Sequence, residues 1–253
     1  MIEMKNVQTG YADGDRYFFP HLSFEEGRIV SVIGRNGCGK STLLKTITGM
    51  LPYHGNITID GEEVRLLKPK ARARRVAYLP QSLRSVSIDV ETLVAHGRYP
   101  WHGRERRMSE KDIEIIEKAI AMRKLQDIRY RNMKELSGGE RQRAYLAMMI
   151  CQDTPMILLD EPLTYMDMAM QETFYRVLRR LSESGRGIVM VSHNIEQTLS
   201  CSDRVCLVHD NTVKAVCTPD ELVRQKELLR EVFGAVFKKK NDPELLYPYT
   251  AAR

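Results

Sequence analysis

A glycine-rich segment, GRNGCGKST at residues 34–42, offers the clearest chemistry in the chain. It separates the apolar runs IVSVI and LLKTI, so it is predicted to connect a buried strand to a helix. Glycines in such a turn let successive backbone N–H groups point into one concavity, which the positive end of the helix dipole also faces. Gly34, Gly39, Lys40 and Ser41 fit the spacing G-x-x-x-x-G-K-[ST], in which the lysine reaches the β- and γ-phosphates and the hydroxyl binds Mg²⁺. The segment therefore predicts a nucleoside triphosphate site.

All nine residues of this phosphate loop are predicted nucleotide contacts: Gly34, Arg35, Asn36, Gly37, Cys38, Gly39, Lys40, Ser41 and Thr42. A flexible glycine turn with a solvated lysine is the alternative, and the flanking strand and helix patterns argue against it. Cys38 has two interpretations, a thiol activated by the helix dipole or a tolerated spacer, and the spacer is the one we favour.

Two carboxylates end the segment MILLDE at residues 156–161. Charge at the end of an otherwise apolar strand is costly unless a cation or a reaction uses it. We expect Asp160 to hold Mg²⁺ through its water shell and Glu161 to orient or deprotonate the attacking water. An ordinary acidic pair at a strand-to-turn junction is the alternative.

Other polar residues also follow predicted strands or begin predicted helices. His193 follows GIVMVS and could hydrogen-bond the γ-phosphate, while Gln81 ends the segment VAYLPQ. Ser137, Gly138 and Gly139 begin another helix, whose free N–H groups suit a second anion contact. A structural histidine and an ordinary capped helix are the alternatives, and the phosphate loop and acidic pair favour the functional interpretation.

The elements that position these residues alternate between strand and helix, which predicts an α/β domain with a largely parallel sheet. Ligands collect at the carboxyl ends of the strands in such sheets. We expect residues 1–253 to form a single domain whose ATP-binding core comprises 1–84 and 151–235. Residues 85–150 are expected to form a helical subdomain, and residues 236–253 a C-terminal surface tail.

Within the helical subdomain, SEKDIEIIEKAIAMRKL has the clearest helical period. Ser109 is predicted to cap this helix at its N-terminus. Ile113, Ile116 and Ile120 are predicted to lie on one face of this helix.

Composition narrows the class of protein. The 253 residues are 43% hydrophobic, and no apolar run approaches the roughly 20 residues needed to cross a bilayer. Five cysteines without CxxC spacing predict reduced thiols, and the N-terminus lacks a signal-peptide core, so a cytosolic protein is expected. The net charge of +6 is concentrated at 68–75, 103–107 and 238–240, where solvated faces are a simpler explanation than a nucleic-acid or membrane patch.

Taken in order, these motifs resemble those of the ATP-binding subunits of ABC transporters, from Tyr11 to about residue 235. Each motif has a counterpart in that family: 34–41 resembles the Walker A loop, Gln81 the Q-loop, 136–140 the signature, 156–161 the Walker B segment, Asp167 the D-loop and His193 the switch histidine. The resemblance implies a P-loop NTPase core with a mainly parallel sheet, an N-terminal antiparallel β part and a helical subdomain.

The resemblance also implies roles for individual residues. It implies ATP and Mg²⁺ as cofactors, with Tyr11 stacking on adenine and Asp167 near the nucleotide, although Tyr11 alone could be a simple strand-end tyrosine. Glu161, His193, Gln81 and Lys40 would carry catalysis. Ser41, Gln81 and Asp160 would surround the metal.

The family further implies partners. Two copies would dimerise head to tail, so that Ser137 of one copy faces the γ-phosphate held by Lys40 of the other. The dimer would bind transmembrane permease subunits at the cytoplasmic face of the cell membrane, and a substrate-binding protein would act indirectly. Residues 81–107 would form the docking surface, and no nucleic acid is expected.

Within the family, LVAHGRYPWHGRERRMSEKD resembles the GR-x-P segment of importers for iron–siderophore complexes, haem and cobalamin. Three positions depart from the family pattern: Glu140 replaces the usual Gln of the signature, TYMD replaces SALD in the D-loop, and Leu163 replaces the usual Thr. Glu140 could therefore tune hydrolysis.

Two other functions share the predicted ATP chemistry. A soluble ABC ATPase acting on DNA or ribosomes would suit the positive charge, and Tyr99 with Trp101 could stack on bases. Against this, no sustained heptads lie between Ser41 and Ser137, and the chain holds one cassette. An exporter subunit is the second alternative, and the GR-x-P resemblance argues against it.

Overall fold

The computed structural model describes residues 1–12, 14–102, 108–163, 166–240 and 249–252. The basic run 103–107 and the D-loop residues 164–165 lie outside the described part. The described strands are β1 (Ile2–Gly10), β2 (Arg16–Phe24), β3 (Ile29–Ile33), β4 (Tyr53–Ile59), β5 (Glu62–Glu63), β6 (Val76–Leu79), β7 (Met156–Asp160), β8 (Gly187–Val191), β9 (Arg204–His209), β10 (Thr212–Cys217), β11 (Val236–Lys239) and β12 (Tyr249–Ala252). The described α-helices are α1 (Lys40–Ile47), α2 (Pro69–Ala73), α3 (Val90–Ala95), α4 (Glu110–Met122), α5 (Gly138–Cys151), α6 (Met168–Glu183), α7 (Ile195–Cys201), α8 (Pro219–Arg224) and α9 (Lys226–Phe233).

A ten-stranded sheet organises the described residues, in the order β5-β4-β1-β2-β10-β9-β3-β8-β7-β6. Strands β9, β3, β8, β7 and β6 pair in parallel, whereas β5, β4, β1 and β2 form an antiparallel part. The apolar runs in β3, β7 and β8 are buried throughout, as expected of parallel strands covered on both faces. The predicted α/β fold with an antiparallel N-terminal part is therefore confirmed.

The helices between residues 90 and 151 pack mainly on one another, with α5 contacting both α3 and α4. Ser109 caps α4 in a reciprocal capping box with Asp112, as the sequence predicts. Ile116 and Ile120 are buried, whereas the side chain of Ile113 on the same helix is 52% exposed. Asp112 takes the inward position in that turn, where its carboxylate pairs with the buried Arg98.

The C-terminal segment differs from the surface tail that the sequence suggests. Strands β11 and β12 pair antiparallel, and Phe237 and Tyr249 are buried against the last strands and helices of the core. The Tyr249 hydroxyl donates to Asp220, and the Ala251 amide donates to Glu196 on α7. These contacts attach the described part of the segment to the core, although the run 238–240 is exposed as expected.

No α-helix in the described ranges combines the length and the apolar character needed to cross a membrane.

Candidate functional site

The parallel strands bring most of the predicted site residues to one edge of the sheet. Strand β3 leads into the phosphate loop, β7 ends at Asp160, and β6 and β8 lead to Gln81 and His193. Because neighbouring parallel strands end at the same edge, segments far apart in sequence meet there.

The phosphate loop depends on glycine at two positions of positive φ. A Cβ on Gly34 would lie 2.1 Å from the carbonyl oxygen of Val208, and one on Gly39 would lie 2.3 Å from the Tyr17 ring. Gly39 has φ 102° and precedes α1 without a side-chain cap, so the first N–H groups of that helix remain free for an anion. The Tyr17 hydroxyl also donates to the Gly37 carbonyl oxygen at 3.3 Å.

Lys40 lies inside the loop and is only 5% exposed. Its ammonium group donates to the carbonyl oxygens of Gly34 and Arg35 at 2.9 and 2.8 Å. These are neutral acceptors, so a phosphate oxygen would be a stronger partner for the same cation. Cys38 is buried nearby, and burial raises the pKa of its thiol, which disfavours the activated-thiol interpretation.

Asp160 lies between the phosphate loop and β6 and is 2% exposed. It accepts hydrogen bonds from the Ser41 hydroxyl at 2.8 Å and from the Tyr78 hydroxyl at 3.2 Å. Burial raises the pKa of Asp160, an effect that the two hydroxyl groups oppose and Glu161 reinforces. A buried carboxylate beside a hydroxyl gives the oxygen donors that Mg²⁺ prefers, so these residues fit that ion.

Glu161 is held between Gln81 and His193. The Gln81 amide donates to Glu161 Oε2 at 2.5 Å, and His193 Nε2 lies 2.5 Å from Oε1. Glu161 has φ 51°, which is uncommon for a residue with a side chain, and its amide donates to Val191 on β8. The structure thus brings together three predicted catalytic residues at the end of adjacent strands.

The signature residues form a separate helix start. Ser137 caps α5, with its amide and hydroxyl donating to Glu140 at 2.9 and 2.7 Å. Hydrogen bonds from Ser137 lower the pKa of Glu140, and Arg131 lies 3.5 Å from this carboxylate. Glu140, a departure from the family pattern, therefore completes a capping box. Ser137 and Gly138 are exposed, Gly139 is half-buried, and no described hydrogen bond joins them to the phosphate loop.

Two predicted nucleotide contacts lie at other positions. Tyr11 follows β1, is 48% exposed and accepts a hydrogen bond from Lys45 of α1 at 3.2 Å. It lines a cavity of about 360 Å³ together with Thr9 and Arg16, large enough for a planar base. Asp167 caps α6 by accepting a hydrogen bond from the Met170 amide at 2.8 Å.

Three residues that contact the predicted site are not identified by any of the sequence motifs. Tyr17 packs against Gly39, Tyr78 bonds Asp160, and Gln142 of α5 donates to the carbonyl oxygen of Pro162. Tyr78 offers one weak signal, since it is a polar position in the short apolar strand before Gln81. Gln142 connects the signature helix to the segment that follows Glu161.

Comparison with known proteins decides the family. The model of the ABC transporter family matches residues 20–164. The chain belongs to the ABC transporter family. Its curated relatives include the petrobactin import ATP-binding protein FpuD of Bacillus anthracis, 37% identical over 96% of this chain and 89% of that protein.

A second ABC relative is the iron(3+)-hydroxamate import ATP-binding protein FhuC of Bacillus subtilis, 34% identical over 98% of this chain and 94% of that protein. Among solved structures, the dimeric bacterial ABC transporter cassette MJ0796 matches with a TM-score of 0.76 and 25% identity, covering 87% of this chain and 99% of that chain. The match to an ABC cassette agrees with the mixed sheet and the helical part described above. Both curated relatives are named as ATP-binding proteins, so ATP is the nucleotide of this family.

Proposed function

We propose that this protein is the ATP-hydrolysing subunit that powers a membrane permease for import of a metal chelate of the iron–siderophore, haem or cobalamin type. The geometry that supports hydrolysis is the position of Glu161. It directly follows Asp160, which bonds Ser41 of the phosphate loop, and it lies within 2.5 Å of groups on both Gln81 and His193. The substrate class is supported by relatives named for import of petrobactin and of iron(3+)-hydroxamate, which align with almost the whole chain.

In this proposal the phosphate loop binds the triphosphate through its N–H groups and the Lys40 ammonium. Ser41, Asp160 and Gln81 would hold Mg²⁺, which would neutralise phosphate charge. Glu161 orients the attacking water and accepts its proton. His193 donates a hydrogen bond to the γ-phosphate, and its bond to Glu161 keeps both side chains at the same place.

The remaining predicted contacts act on the rest of the nucleotide. Tyr11 stacks on adenine at the mouth of its cavity, beside Lys45 in the last turn of α1. Ser137, Gly138 and Gly139 contact the γ-phosphate bound by a second copy, and Asp167 lies at the same junction. The dimeric ABC cassette that this chain resembles supports such an arrangement. Bound ATP then holds the two copies together as a dimer, and hydrolysis weakens their association.

The permease binds the surface formed by the described part of residues 81–107, at the cytoplasmic face of the cell membrane. Tyr99 and Trp101 are 56% and 38% exposed there. Arg74 and Arg98 lie over the Trp101 ring at 5.4 and 5.3 Å, and the indole donates to the Gln152 carbonyl oxygen. These contacts hold the Trp101 ring in place, which supports its role as a rigid aromatic contact for a loop of the permease. A substrate-binding protein acts through the permease, and no nucleic acid takes part.

Uptake by a strain that lacks this protein tests the proposal. We expect the strain to lose accumulation of radioactive iron supplied as a siderophore or haem complex, and a plasmid copy to restore it. Glu161→Gln should not restore uptake, because the carboxylate that activates water is absent. Glu183→Gln removes an exposed carboxylate on α6 and should restore uptake fully.

Unchanged uptake of every iron chelate in the deletion strain would refute import of this class. Increased retention of a compound in the same strain would instead indicate an exporter.

A further inference from the structure

A second cavity, of about 280 Å³, has none of the predicted catalytic residues in its lining. It is bounded by the end of α4, the side of α5 and the first turns of α6. Six of the lining residues matter here: Met122, Arg123, Lys124, Arg143, Asp167 and Met170. We call this cavity the arginine pocket.

Arg123 is buried in the arginine pocket with 5% of its surface exposed. Within the described part of the chain, Nε of Arg123 and Nε of Arg143 are buried and have no hydrogen-bond partner. Arg143 uses another nitrogen to donate to the Lys124 carbonyl oxygen at 3.3 Å. Burial lowers the pKa of Arg123 to about 10, and the nearby Arg143 contributes. The Arg123 guanidinium therefore still carries its charge at neutral pH.

Arg98 shows how the same chain treats another buried arginine. It is also 5% exposed, but it bonds Asp112 at 2.7 Å and the Cys151 carbonyl oxygen at 3.0 Å. In the arginine pocket the lining carboxylate is Asp167, and it accepts the Met170 amide as the cap of α6. In the described ranges, neither Arg123 nor Arg143 belongs to an ion pair within 4.0 Å, although the charge of Arg143 helps to lower the pKa of Glu140.

The energetics favour an anion between these groups. Burying an unpaired cation costs several kcal/mol. The dipole at the end of α4 favours a cation there by roughly 1 kcal/mol, which does not offset that cost. An anion that bonds both guanidinium groups would remove the cost through strong charge-assisted bonds.

We propose that the arginine pocket binds a small organic anion with at least two carboxylate or phosphate groups. The volume is close to the lower limit of about 300 Å³ for ligand sites, which suits a metabolite. Met122 and Met170 provide an apolar wall for its carbon skeleton. A bound anion would connect α4 and α5 to the first turn of α6, which Asp167 caps, so its concentration would influence the coupling between these helices.

Calorimetric titration of the purified protein tests this site with two probes, tricarballylate for carboxylates and inorganic pyrophosphate for phosphates. ADP is kept at saturating concentration in both titrations, so that the phosphate loop is filled. We expect one probe to bind with a stoichiometry of one. Arg123→Met and Arg143→Met should each weaken that binding at least about tenfold, the expected effect of losing a charged hydrogen bond.

Arg176→Met is the matched control, because Arg176 is an exposed arginine of α6 outside the pocket. The Arg176→Met protein should bind the probe with the same affinity as the wild type. Without a probe, Arg123→Met should melt at the same temperature as the wild type or higher, because it removes an unpaired buried charge.

The proposal is overturned if neither probe binds the wild type. That result is also expected if an acidic side chain of a partner protein fills the pocket. Unchanged binding by Arg143→Met, a half-buried position that tolerates substitution more readily than Arg123, would overturn it as well. These results do not depend on transport, so they are separate from the uptake experiment.

Discussion

Glu161 combines three properties that suit a base for water. Its carboxylate is mostly buried, at 11% side-chain exposure, and its two oxygens face different partners, Gln81 and His193. Its backbone has a positive φ that a residue with a side chain rarely adopts. Such strain is found where a site fixes the direction of a side chain.

At this scale we predict that Glu161→Gln lowers steady-state ATP turnover of the purified protein at least about 100-fold, within the usual range for loss of a general base. Nucleotide binding should be retained, because the amide preserves the shape and the phosphate loop is unchanged. Phosphate release and binding of a fluorescent ATP analogue provide the two measurements. Normal turnover would show that another group activates the water.

Sequence reasoning at the residue scale succeeds where a motif is local. The phosphate loop and the acidic pair are each contiguous, so their spacing predicts their geometry. Sequence reasoning does not predict the hydrogen bond between Tyr78 and Asp160, because these residues are 82 positions apart. It also does not predict the contact between Tyr17 of β2 and Gly39 of the phosphate loop. Arg123 also escapes prediction, because a helix-end arginine ordinarily faces solvent.

Asp112 connects three elements of the helical part. It caps α4 through Ser109, and it pairs with Arg98, which also bonds the carbonyl oxygen of Cys151 at the end of α5. Burial disfavours the charged carboxylate, but hydrogen bonds from Ser109 and Arg98 prevail and lower its pKa to about 2. The pair therefore stabilises the fold while Asp112 is ionised.

For this element we predict that Asp112→Ala lowers the free energy of unfolding by about 3 kcal/mol at neutral pH, the cost of leaving Arg98 buried without its partner. The pKa of Asp112 is lower in the folded than in the unfolded chain, so its contribution is present above about pH 4. It is lost as the pH falls towards 2.

Urea denaturation at several pH values checks this prediction, with the exposed Asp127→Ala as control. A difference between Asp112→Ala and the wild type that stayed constant down to pH 2 would contradict the assigned pKa.

Elements are predicted well where their period is strong and poorly where a partner decides their face. The helix at Ser109 begins at the predicted residue, yet Ile113 turns outwards because an ion pair occupies the inward position. Strands β11 and β12 have no clear sequence signal, since their stability comes from Phe237, Tyr249 and Asp220 packing together at long range.

The whole molecule links nucleotide chemistry to the helical part through a few contacts. The parallel strands fix the phosphate loop, Asp160 and His193 at one edge of the sheet. Gln142 of α5 donates to the carbonyl oxygen of Pro162, directly after Glu161, so α5 is attached to the catalytic segment. If the proposed function is right, we expect movement of the helical part to change the position of Glu161 through this contact.

Affinity purification of the tagged protein from detergent-solubilised native membranes tests this account most directly. After a moderate salt wash, mass spectrometry should identify a multi-span permease bound to the wild type. The same permease should be retained by Glu161→Gln, because that substitution leaves the docking surface intact. Recovery of ribosomes or DNA-bound proteins in place of a permease would contradict the transport function, although the assignment of the ATP site would be unaffected.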